Sequence, residues 1–469
     1  MPSLFVRDRA FYRTVAKIAI PISLQSLITI GVNMMDNIMV GSLGETALSA
    51  VSLSNAFIHV FQIFCMGIGM GASVLTSRYW GMQDLTSLRK VVTIMLRLVL
   101  GIGGVFTLAT IFAPGLLMRI YTPDAAIIAE GIRYYQWSIP CYYLLGFSLT
   151  CTIVLRSTGQ VRLPLYSSIA AFFVNIFFNW VFIYGNLGAP RMGVAGAALG
   201  TLISRSVEFA VICGFFFLRE ERIRYRIRNL KDSCRGMLGT YLKVSFPVLV
   251  SDGLLALGNS AVAIVMGHIG SGFVSANAIT TVTQQLSTVL ITGMSNASAI
   301  ITGHTLGEGD PDKAQRQGVT FLTLGVIVGV FAGGLIMIFS KTIIGLYNIT
   351  PETQAIAEQL MLAVGFMVIF QAANSILTKG VLRGGGDTRF LMVADILFLW
   401  VASIPLGAVA GLVWHLPAFW TYVLLRIEHV IKAFWCVYRL KSRKWIKHIT
   451  PSTAAEIPTE PEPMPAGGS

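Results

Sequence analysis

Charge is scarce in this sequence. Asp, Glu, Lys and Arg make up 12% of 469 residues and 54% of the chain is apolar, whereas an ordinary soluble domain is about 25% charged. Too few polar side chains exist to cover a water-soluble globule, which excludes a disordered chain, a coiled coil and an ordinary cytosolic enzyme. Clustered chemistry is missing as well. The six cysteines (Cys65, Cys141, Cys151, Cys213, Cys234, Cys436) are scattered, mostly in apolar stretches, with no C-x-x-C pair and no metal-ligand spacing to a histidine, and they read as buried apolar residues. The six histidines form no ligand spacing, and no Ser/His/Asp arrangement can be argued. Gly67-x-Gly69-x-Gly71 lies inside an apolar run with no strand before it. Gly384, Gly385 and Gly386 lack the Lys-Ser/Thr of a phosphate loop. No sign of ATP hydrolysis or of a cofactor follows from either glycine run.

Long apolar runs are what the chain does have. At about 20 to 25 residues per membrane helix, twelve spans fit: 15–39, 47–77, 91–113, 129–153, 163–184 and 193–218, then 240–267, 276–305, 318–339, 356–380, 389–413 and 416–440. Continuous apolarity with small residues at helix-contact spacings predicts helices rather than the alternating strands of a barrel. The Arg-rich stretch up to Lys17 leads into a full-length span without a convincing cleavage site, so it reads as a retained first helix.

Placement of the charge sets the expected orientation. With the N-terminus inside, inner loops, tails and the inner ends of spans hold 27 of the 35 Lys and Arg. The outer loops and outer span ends hold Arg119, Arg133, Arg191 and Lys341, and four lie deeper within spans: Arg97, Arg205, Arg426 and Lys432. That imbalance predicts cytoplasmic termini. The net charge of +13 is then a topology signal, not a mark of nucleic-acid binding, and the basic run Arg219 to Arg235 is a candidate contact for lipid headgroups. The expected layout is a cytoplasmic N-terminus (1–14), a first lobe (15–218), a basic cytoplasmic linker (219–239), a second lobe (240–440) and a cytoplasmic, largely disordered tail (441–469).

The chain is also duplicated. A shift of 226 residues superposes Pro21 on Pro247, Asn33 on Asn259, Gly41 on Gly267, Gly44 on Gly270, Gly67 on Gly293, Gly81 on Gly307 and Asp84 on Asp310 without a gap. A shift of 227 then matches Leu155, Arg156 and Gly159 to Leu382, Arg383 and Gly386. Six spans per repeat is an even number, so the halves enter the membrane in the same orientation. The expected fold is therefore all-α, with twelve transmembrane helices in two parallel six-helix lobes related by a pseudo-two-fold axis along the membrane normal and a substrate path between them.

Several segments then carry a family resemblance: Pro21 with Asp36 fifteen residues on and MVGSLG (Met39 to Gly44), Gly-x-x-Asp at Gly81 to Asp84 and again at Gly307 to Asp310, and LRSTG and LRGGGDT around Arg156 and Arg383. Asn175 and Asn179, followed by MGVAGAALGT (Met192 to Thr201), complete the set. In this order, over about residues 10 to 447, the sequence resembles the multidrug and toxin extrusion (MATE) family. The resemblance implies a secondary active, cation-coupled exporter of amphipathic, often cationic, organic compounds, driven by inward Na+ or H+. Many members have an acidic residue where Asn179 stands, which leaves the choice of ion open.

The residues themselves point to a compatible site. A carboxylate inside a span costs at least about 2.5 kcal/mol to insert, so it is a functional candidate by default. Asp36 lies in the outer half of the first span, Asn175 and Asn179 one turn apart in the outer half of the fifth, and Thr201 at the start of the sixth. A carboxylate beside amide and hydroxyl oxygens can hold a sodium ion or take a proton. The competing readings are Asn as interhelical glue and Asp36 solvated near the interface. Asp36 shifted by 226 falls on Val262, so the second lobe does not repeat the carboxylate. Asp252 is a candidate counter-ion for a cationic substrate or is solvated in an inner vestibule, and Asn33 and Asn259 are candidate cavity residues. Asp395 reads as interfacial, Glu428 with Lys432 as an i,i+4 pair, and Arg205 with Glu208 as an i,i+3 pair. The expected working unit is a monomer in lipid. Two alternatives remain. A lipid-linked sugar flippase of related fold predicts more cationic residues along its cavity, and a non-transporting membrane enzyme or receptor predicts a catalytic cluster at one depth.

Overall fold

The computed structural model describes residues 5–347 and 349–449; the Pro-rich part of the expected tail, 450–469, lies outside the described residues. Among the described residues there is no strand. Ten helices are long and apolar enough to cross a membrane: Arg9–Gly41, Glu45–Gly81, Leu85–Phe112, Arg162–Tyr184, Val194–Arg219, Met237–Ile269, Ser271–Gly307, Pro311–Ile344, Pro351–Leu382 and Thr388–Val413. The expected fourth span is a bent pair, Ala125–Ser138 and Cys141–Ser157, meeting at 55°. Pro140 stands at that bend, where it cannot donate to the preceding turn. The expected twelfth span is also two helices, Ala418–Leu425 and Glu428–Lys441. Arg426, with φ −120° and ψ 17°, leaves helical geometry between them.

Several helices begin earlier than apolarity alone predicts because aspartates in the loops cap them. Asp8, Asp84, Asp124 and Asp310 accept from backbone N–H groups at Ala10, Ser87, Ala126 and Lys313 at 2.8–3.0 Å. The repeated Gly-x-x-Asp segments thus have a definite structural meaning, since their aspartates start the third and ninth spans. Their glycines mark the symmetry axis. A Cβ built on Gly307 would lie 2.8 Å from the Cα of Gly81, and one on Gly81 would lie 3.0 Å from the Cα of Gly307. Residues related by the repeat touch each other only where a two-fold axis passes between them.

One apolar core fills the first lobe, built from the second, third, fourth and sixth spans with the start of the seventh, and another fills the second lobe from its six spans. A third joins the lobes. It unites Phe11, Ile18 and Ile22 of the first span with Ile300, Phe321 and Leu382 of the second lobe. All these residues lie towards the end that carries the basic loops. Small residues deepen the seal there: Gly71 abuts Ser245, Gly293 abuts Ser23, and Gly303 abuts Ser77. Arg78 donates to the carbonyls of Lys447 (2.7 Å) and Gly385 (3.2 Å), and His304 bonds the Ser157 carbonyl at 2.6 Å. In the opposite halves of the first and seventh spans, Asn33, Asn37 and Asn259 are exposed within apolar helices. Exposed amides in apolar spans call for water, which argues for a cleft between the lobes at this end, opposite the seal at the basic end.

The start of the expected tail is ordered. Residues 442–449 fold back onto the second lobe, with Trp445 fully buried and Lys447 N–H donating to Gly385 at 3.0 Å. Composition missed this because the anchor is a single tryptophan, whose indole N–H finds Gln315 at 2.9 Å.

Candidate functional site

In the first lobe a cavity of about 450 Å³ opens among the first, second, fourth, fifth and sixth spans, and its lining includes Asn33, Asp36, Asn55, Asn175 and Thr201. Asn179 Nδ2 donates to Asp36 at 2.6 Å and reaches Asn175 Oδ1 at 3.3 Å. Asp36, Asn175 and Thr201 thus line one pocket, and the buried Asn179 is bonded to both Asp36 and Asn175. Asn179 is fully buried, and its Oδ1 has no partner. An unpaired buried amide oxygen costs about 1–3 kcal/mol, so it is a ready acceptor for a proton donor or a cation. Gly200 makes room for this amide, because a Cβ there would overlap Asn179 Oδ1.

Two further side chains were not singled out from sequence. Tyr134 OH donates to Asn55 Oδ1 at 3.0 Å in the same cavity; a lone Asn within the apolar second span was the available signal. Arg205 and Glu208 form the expected pair at 2.6 Å and also line the cavity. With all three groups ionised, Asp36 and Glu208 against Arg205 leave one excess negative charge. One carboxylate with amide and hydroxyl oxygens around it suits a monovalent hard cation or a proton.

The duplication extends into the polar interior. The shift of 227 that superposes Arg156 on Arg383 also carries Ser168 onto Asp395, Thr201 onto Glu428 and Arg205 onto Lys432. Gln25 donates to Ser168 at 2.9 Å in the first lobe, and Ser251 donates to Asp395 in the second. Likewise Arg156 donates to Gln25, and Arg383 to Asp252 at 3.0 Å. The scaffold is common to both lobes while the charges differ.

A second cavity, of about 530 Å³, occupies the equivalent place in the second lobe. Here the structure corrects three readings. Asp395 is not interfacial; it is buried and paired with Lys432 at 2.9 Å. Lys432 therefore does not pair with Glu428, which instead accepts from Ser403 at 2.5 Å and lies 3.9 Å from Arg426 and 3.7 Å from His429. The i,i+4 expectation took no account of an acid from the eleventh span. Lys379, counted with inner-loop charge, lines this cavity, because the tenth span continues to Leu382 in a wider π-helical turn. Asp252 is held by Arg383, and Asn259 accepts from Arg426 at 2.6 Å. The position matching Asp36 is Val262, fully buried in the apolar core.

The MatE family model matches residues 21–181 and 247–409, which together cover more than half of the sequence. The chain belongs to the MatE family. The two MatE segments begin at Pro21 and Pro247, the residues that the 226-residue shift superposes. The MatE chain is 24% identical over 92% of its length to a probable multidrug resistance protein NorM of Thermotoga maritima, covering 92% of that protein. It is 26% identical to the multidrug resistance protein NorM of Burkholderia vietnamiensis, over 84% of this chain and 85% of that one. Among solved structures it is similar to an outward-facing multidrug resistance MATE transporter of the MOP superfamily, with a TM-score of 0.82, 20% identity and coverage of 92% of this chain and 96% of that one.

Proposed function

We propose that this protein is a secondary active exporter of amphipathic organic compounds, working as a monomer in the cell membrane by antiport with Na+ or H+. The observation that carries the reading is that Asp36 and Asn175 line the first-lobe cavity while the buried Asn179 is bonded to both. Multidrug resistance relatives over most of the length agree with it.

With the basic end in the cytoplasm, the cleft faces outward and the sealed end inward. A cation entering from outside neutralises Asp36 and competes with its bond to Asn179. The first span then repacks against the fifth and sixth, and substrate held between the lobes is released outward. One charge moving down about 100 mV supplies about 2.3 kcal/mol, enough to sustain roughly a 50-fold gradient of a neutral substrate. For a monovalent cationic substrate exchanged one for one, charge movement cancels and only the chemical gradient of the ion drives export.

A lipid-linked sugar flippase is the second reading, favoured by Lys379, Arg383, Arg426 and Lys432 around the second-lobe cavity. Accumulation of a cationic dye in cells lacking their own exporters, with sodium and pH varied separately, distinguishes the two. Export predicts lower dye levels that depend on one of the two ions. Dye levels equal to those of cells without the protein, under every ion condition, contradict the export reading.

A further inference from the structure

Every acidic side chain of the second-lobe cavity already has a basic neighbour. Lys432 holds Asp395, Arg383 holds Asp252 beside the cavity, and Glu428 lies near Arg426 and His429. Four cations (Lys379, Arg383, Arg426, Lys432) thus face three carboxylates, leaving one excess positive charge with His429 neutral. Among the described residues Lys379 has no carboxylate partner. Its neighbours Ile376, Leu377, Thr378, Gly380, Val381 and Leu382 are buried, while Lys379 is exposed and lines the cavity. The Nε groups of Arg383 and Arg426 are buried without an acceptor, and Arg383 is only 4% exposed. An exposed ammonium without a carboxylate partner, beside two arginines that also line the cavity, favours an anionic acceptor.

We propose that the second-lobe cavity is an anion subsite in which Lys379, with Arg383 and Arg426 behind it, binds a carboxylate or phosphate group of an amphipathic molecule. This rests on the export reading and narrows its substrate class. Among the lining groups, Asp36 and Glu208 outnumber Arg205 in the first cavity, while Lys379, Arg383, Arg426 and Lys432 outnumber Asp395 and Glu428 in the second, so a zwitterionic amphiphile matches the pair better than a simple organic cation. A cavity of about 530 Å³ has room for the charged head of such a molecule, within the range of about 300–1,000 Å³ usual for ligand pockets.

The test compares a rhodamine bearing a free carboxylate with its ethyl ester, which keeps the cationic ring and lacks the anion. Binding of each to the full-length protein in phosphatidylcholine nanodiscs is read by fluorescence anisotropy without any ion gradient. The wild type is expected to bind the carboxylate dye about ten-fold more tightly, Lys379→Gln to bring it down to the level of the ester, and Lys379→Arg to restore the preference. A second set of nanodiscs with added phosphatidylglycerol separates the sources. Displacement of the carboxylate dye from the wild type supports a headgroup as the anion, and undiminished binding supports a free substrate. Equal affinity for both dyes in the wild type overturns the proposal, even where Lys379→Gln does not fold. Equal weakening of both dyes by Lys379→Gln also overturns it. Because no gradient is applied, dye discrimination without uphill transport would sink the export reading alone, and transport without discrimination would sink only the subsite.

Discussion

Asn179 commits the two ends of one amide differently: Nδ2 holds Asp36, while Oδ1 is buried and unpaired beside Gly200. A methyl group at position 200 must displace that amide, so Gly200→Ala is expected to raise the ion concentration for half-maximal transport about ten-fold while the protein still purifies as a folded species. Ion-titrated transport in vesicles checks this; an unchanged half-maximal concentration contradicts the role given to Asn179. The first-lobe site was legible in sequence because its groups are costly in lipid and appear where apolar residues are the rule. Thr201 and the Asn pair fell at one depth by counting residues along helices. The free oxygen of Asn179 was not legible, since it depends on how closely the sixth span approaches the fifth.

The turn after the second span and its repeat after the eighth share a left-handed residue but not a glycine. Gly309 has φ +84°, but its repeat partner Gln83 adopts φ +59° with a full side chain, a conformation costing about 1 kcal/mol outside glycine. Gln83→Gly is expected to stabilise the purified protein by about that amount and Gly309→Gln to destabilise it, both read from thermal unfolding in detergent. The twelfth span shows where pattern reading fails. Weighed one at a time on a straight helix, Glu428 and Lys432 made a local pair. Both lie on one helix, Glu428–Lys441, but the neighbouring eleventh span supplies Asp395, which takes Lys432 instead. Both partners are almost fully buried. Lys432→Ala should therefore cost about 3–5 kcal/mol by stranding a buried charge, while the double variant Asp395→Leu with Lys432→Met should recover most of that loss. Thermal unfolding of the single and double variants tests the pair, and a double variant no better than the single would contradict it.

Across the whole molecule, the lobes meet at the basic end through glycines and a shared apolar core. Alternating access requires this seal to open. Gly81→Leu places a side chain where His304 and Gly307 leave no space. In a Ser77→Cys background it should speed maleimide labelling at the seal at least ten-fold and reduce export; the native cysteines, all buried, give little background. Two lobes, their parallel repeat and the composition of a membrane protein were readable from sequence because each is written as a register or a count. The direction of the cleft and the charge of the second cavity were not, since both arise from contacts between distant spans. The central claim is that an inward cation at Asp36 drives export. Its most direct test is dye transport in proteoliposomes of known orientation with an imposed Na+ or H+ gradient, wild type against Asp36→Asn. The account predicts uphill export by the wild type that follows one of the two gradients and at most downhill equilibration by Asp36→Asn. Uphill export by Asp36→Asn at the wild-type rate would contradict it.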